Sequence, residues 1–82
     1  MSNLPLINLT PTTTKMMAEY HANSGSPETE ILWLRVALVL LATSAYNDGH
    51  YREEDLRSVL ELAFDNDAGN VRARAYELLK GC

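Results

Sequence analysis

The sequence predicts an all-α fold, a small bundle of about four helices with a central apolar helix and an extended N-terminal arm. Three observations carry this expectation. Residues 31–42 are apolar throughout except at Arg35. A capping residue is followed by proline twice, at Thr10-Pro11 and Ser26-Pro27, a common way for helices to begin. Leu56, Val59, Leu60, Ala63 and Phe64 recur at i, i+3, i+4, i+7 and i+8, the spacing of one apolar helix face.

Taken in order, residues 1–10 (MSNLPLINLT) read as the arm, because Pro5 blocks a helix while Leu4, Leu6, Ile7 and Leu9 are apolar enough to pack on something. Residues 11–82 read as a single helical domain. Its first helix is expected from Pro11 to about Ala22, with Met16, Met17 and Tyr20 as a weak apolar stripe. The second starts at Ser26-Pro27, gains Glu28 and Glu30 at its positive end, and stops at Asn47-Asp48-Gly49. A helix apolar all round must be covered on nearly every side, and any uncovered remainder marks an interface. The third helix is expected from about Tyr51 to Asp65, its acidic start Glu53-Glu54-Asp55 suiting a first turn. The fourth follows a cap at Asp67 or Asn70, buries Val71, Ala75, Leu78 and Leu79, and ends near Lys80-Gly81.

At 82 residues the chain is one domain of modest stability, for which an oligomer interface is a common supplement. Cys82 is the only cysteine, so no disulfide forms within one chain, and a free thiol in the cytoplasm is expected. An intermolecular disulfide is the other use of that thiol; a prenyl anchor needs the cysteine fourth from the end. The first ten residues contain no basic side chain, so no signal peptide is expected. The apolar run is about half a membrane span. Net charge is −4, and residues 48–82 hold most of the excess, with eight acidic side chains against five basic ones. That balance disfavours attraction to nucleic acid or anionic lipid. A solvated acidic face is expected, with recognition of a basic partner as its functional counterpart.

Motifs for chemistry are sparse. The run from Asp65 to Asn70 begins like an EF-hand loop, but Gly69 stands fifth and Tyr76 twelfth, where that loop needs glycine sixth and glutamate twelfth. His21 and His50 are isolated in sequence, and no metal-ligand or triad spacing surrounds them. No cofactor is implied. Arg35 is the residue that breaks the local pattern; buried, it needs a partner, and Glu28, Asp55 or a second subunit are open options. Trp33 is a core filler or a contact residue.

The segment DLRSVLELAFDNDAGNVRARAYELLKG, residues 55–81, resembles a single helical repeat of the HEAT type: an apolar helix, a short acidic turn, then Val71-Arg72 with Ala75 and Leu79 at helical spacing. Asn66 stands where that family usually has aspartate, with Asp67 next to it. A solenoid needs about three repeats, so the resemblance implies an antiparallel helical hairpin and no scaffold.

The function expected on these grounds is a non-enzymatic protein-interaction module. It is expected to be a homodimer acting on another protein, in the manner of small acidic accessory or inhibitor proteins of bacteria and phages. Its contact candidates are Trp33, Arg35, Glu53, Glu54 and Asp55. The alternative is a helix-turn-helix regulator that places Arg72, Arg74 and Lys80 on DNA.

Overall fold

A computed structural model describes residues 10–81. The arm expected at residues 1–10 therefore lies, apart from Thr10, outside the described residues. Four helices follow: α1 Pro11–Asn23, α2 Pro27–Asn47, α3 Glu53–Ala63 and α4 Ala68–Leu78.

The helix ends follow local chemistry with two exceptions. Thr10 caps α1, its hydroxyl accepting from the Thr13 N–H at 3.2 Å, and Asp67 caps α4 through the Asn70 N–H at 3.1 Å. Ser26 stands at the N-cap of α2 but makes no side-chain capping bond, so Pro27 and the acidic first turn carry that start. The third helix is shorter than the expected Tyr51–Asp65. Its N-cap is Arg52, whose backbone N–H donates to Asp55 Oδ2 at 3.0 Å. Residues 48–51 are a turn and bend, in which Gly49 takes a φ of 79°, the left-handed region that suits glycine.

α2 is the central post. It contacts α1, α3 and α4, and α3 contacts α4. The core is Ala18 of α1, Leu34, Ala37, Leu38 and Ala42 of α2, Val59 and Ala63 of α3, Val71 and Ala75 of α4, and Leu79 just past it. Five of these ten are alanines, Ala18, Ala37, Ala42, Ala63 and Ala75, and all five are fully buried. Small side chains let helix axes come near the short end of the usual ~8–10 Å spacing. α3 and α4 run antiparallel, since Arg74 and Leu78 at the end of α4 share a shallow pocket with Tyr51 and Asp55 at the start of α3.

Among the described residues the wrap around α2 is incomplete. By length and hydropathy its 21 residues match a membrane span, yet only 28% of the most apolar stretch is buried. The stripe expected on α3 also needs one correction. Leu56, Val59, Leu60 and Ala63 turn inward or half inward, but Phe64 is 73% exposed. The helix closes at Ala63, and Phe64 falls at the edge of the buried arc, about 140° round from Val59 at 100° per residue.

Candidate interaction surface on the central helix

Each side chain on α2 takes its role from its angle round the helix. With Leu34 at the origin, Ala37, Leu38, Leu41 and Ala45 fall within about 60° of it; three are fully or nearly fully buried and Leu41 packs against the core. Leu32, Val36, Val39, Leu40 and Thr43 fall about 120–180° away. Leu32 is 58% exposed, Val36, Val39 and Leu40 are half-buried, and Thr43 is exposed. Together with Arg35 and Phe64, the four apolar members line an open groove of about 310 Å³.

Two polar latches fasten the covered side. The first is Arg35. Its Nη1 donates to the carbonyl oxygens of Ala63 at 2.8 Å and Asp65 at 2.6 Å. These oxygens lie at the end of α3, where helix carbonyls lack intrahelical partners and cations are favoured. The expected pairing with Glu28 or Asp55 is thereby corrected. Arg35 sits level with the C-terminal end of α3, whereas Asp55 belongs to its first turn and is engaged with Arg52. Two backbone oxygens, and no carboxylate, accept from Nη1, and Arg35 lines the groove. Nearby, Asp65 accepts from the Asp67 N–H and from Asn70 Nδ2, both at 2.9 Å. These bonds, the backbone one first, hold its carboxyl below the ordinary 3.8; the charge of Arg35 adds to them and partial desolvation opposes.

The second latch is Glu30, 3% exposed. Its carboxylate accepts from Arg72 Nε at 3.1 and 3.2 Å and from the Tyr76 hydroxyl at 2.7 Å. It thus ties α2 to α4 across residues far apart in sequence. Burial, followed by the bond to Glu30 and its negative charge, pushes the Tyr76 hydroxyl well above its ordinary pKa of 10. The sequence offered Glu30 only as a first-turn charge. Its position about 40° from Leu34, on the side that proves to be covered, was the signal that it would be enclosed.

The remaining candidates are spread over the surface. Trp33 is half-buried and stacks on His21 of α1, centroids 6.5 Å apart and planes 6° from parallel. Glu53 is exposed and paired with Arg57 at 2.9 Å, one turn on in α3. Glu54 is exposed, and Asp55 completes the capping of α3. The acidic cluster therefore has local structural work and lies on a different helix from the groove. The basic set does not share a face either. Arg72 turns to Glu30, while Arg74 lines the pocket with Tyr51 and Asp55, the two lying about 200° apart round α4. Lys80 is exposed beyond the helix end.

Phe64 and the open side of α2 escaped the sequence reading as a unit, because every residue of α2 looked equally apolar. The spacing of Leu32, Val36, Val39, Thr43 and Tyr46, alternately four and three residues, was the signal available. Comparison with known proteins adds no relative: no family model matches the chain, and no curated protein or solved structure is similar to it.

Proposed function

We propose that this chain is a protein-interaction module that acts by binding, with the open face of α2 as its recognition surface. The observation that carries the reading is the groove of Leu32, Val36, Val39 and Leu40 edged by Phe64. Contiguous apolar surface of this kind, left open beside a satisfied core, is typical of docking sites. The polar groups that border it are already engaged: the Arg35 guanidinium faces the end of α3. An apolar surface that fills the groove meets Arg35 with its Nη1 already bonded to two carbonyl oxygens.

Site-specific photocrosslinking tests this reading. A photoreactive side chain at position 36 is expected to give a discrete protein adduct, and one at the exposed position 58 on α3 is not. If position 36 yields no adduct, either with a second copy or with another protein in cell extract, the open face of α2 is not a docking surface.

A further inference from the structure

We infer that the occupant of this surface is the same surface of a second copy, so that two α2 helices pack along their open stripes in a symmetric homodimer. The inference rests on the reading of the open face as a docking site and adds the partner.

Leu32, Val36, Val39, Thr43 and Tyr46 repeat at intervals of four, three, four and three residues. That is the a/d spacing by which one helix interdigitates with another of the same pattern. Leu32, Thr43 and Tyr46 are exposed and Val36 and Val39 half-buried, so the stripe is presented outward on one rigid helix. From Leu32 to Tyr46 it runs about 21 Å at 1.5 Å per residue, nearly four helical turns of repeating contact. A two-fold interface must be complementary to itself. This stripe meets that condition, since it contains no acidic or basic member and Arg35 beside it is turned to the α3 end.

The distribution of charge favours the same partner. A chain of net charge −4 repels its copy. Here the excess acid lies in residues 48–82, and of these the groove is lined by the uncharged Phe64. Packing through the open stripe therefore brings no acidic side chain of the groove lining against its copy. A strongly basic partner would instead be drawn to the acidic residues and away from the groove.

Sedimentation equilibrium of the full chain tests this, with circular dichroism to monitor folding. The wild type is expected to be a dimer. Leu32→Glu and Val36→Glu are expected to weaken it at least about tenfold in Kd, each entering a symmetric interface twice, with helicity retained. Ser58→Glu, on α3, should leave it unchanged, and a stripe variant that loses helicity is replaced by Thr43→Glu, which is exposed in the folded chain. A dimer indifferent to the stripe variants overturns the inference, as does a wild type that stays monomeric at millimolar concentration. Pairing that appears only on deletion of residues 1–9 also overturns it, by giving the stripe to the chain's own N-terminal segment. So does flotation of the wild type with neutral phospholipid vesicles that is lost in Val36→Glu, which would assign the stripe to a bilayer. A monomer that still gives a heterologous adduct from position 36 leaves the docking surface standing and removes only the second copy.

Discussion

The two sides of α2 are both apolar, yet one is the core of the molecule and the other is open. The covered side carries Leu34, Ala37, Leu38, Ala42 and Ala45, with Glu30 at its start. The open side carries Leu32, Val36, Val39, Leu40 and Thr43. Hydrophobicity does not separate them. The difference lies in size and in polar fastening. The covered side alternates leucine with alanine, which admits neighbouring helices closely. It is also flanked by groups that lock a neighbour in one place, Glu30 to α4 and Arg35 to the end of α3. The open side has valine and threonine where the covered side has alanine and, among the described residues, no such fastener of its own. In a helix apolar all round, the location of alanines and of paired charges identifies the core better than the apolar residues themselves.

The sharpest way to break this contrast is to truncate one leucine on each side. Leu38→Ala, fully buried, should cost about 3 kcal/mol with little collapse of the surrounding helices. Leu32→Ala should cost under about 1 kcal/mol at concentrations where only monomer is present. Urea denaturation followed by circular dichroism measures both. Equal losses would mean that the open side is covered in the monomer.

The latches come next in size. Arg72→Ala leaves the enclosed Glu30 carboxylate with Tyr76 as its remaining partner and should destabilise the fold by about 2 kcal/mol. Tyr76→Phe should cost roughly 1.5–3 kcal/mol, the range for a hydrogen bond to a charged group. Arg35→Met preserves most of the stem and removes the donors to Ala63 and Asp65. About 2 kcal/mol is expected from the loss of two part-buried bonds from a charged donor, and amide exchange in the turn between α3 and α4 should rise before exchange in α1 does.

The smallest effect concerns acid. Asp65 has its carboxyl held below 3.8 by the Asp67 N–H, the Asn70 amide and Arg35. A carboxyl depressed in the folded state stabilises above its unfolded pKa and loses that contribution as pH falls through the folded value. The α3–α4 turn should therefore keep its structure at neutral pH and loosen only below about pH 4. An NMR titration of the Asp65 carboxyl with its midpoint at or above 3.8 would contradict this.

Much of the fold was legible locally. Thr10 and Asp67 act as caps within three residues of their partners, and the 3.6-residue period located the buried faces of α3 and α4. The centrality of α2 followed from its composition. What sequence could not supply were pairings across long separations. Arg35 meets carbonyls 28 and 30 residues away, and Glu30 meets side chains 42 and 46 residues away. No local pattern encodes which of several charges a buried one will find. Residue type alone points to Trp33, Arg35, Glu53, Glu54 and Asp55 as contacts, and of these Arg35 lines the groove. The groove depends instead on which arc of α2 its neighbours leave uncovered, a property of the assembled bundle.

The Arg35 contact also bears on the order in which the molecule comes together. Helices commonly end on a nearby glycine that frees their last carbonyls for local bonds. Here the Phe64 and Asp65 N–H groups close on Leu60 and Leu62 locally, and the last carbonyl of α3, that of Ala63, is met by a donor from another helix. An excised hairpin of residues 50–82 should accordingly be frayed at Ala63 even though its own stripe and caps are intact. Unfolding of the whole chain should remove α2 and α3 in a single step, making them one cooperative unit in spite of the loop between them.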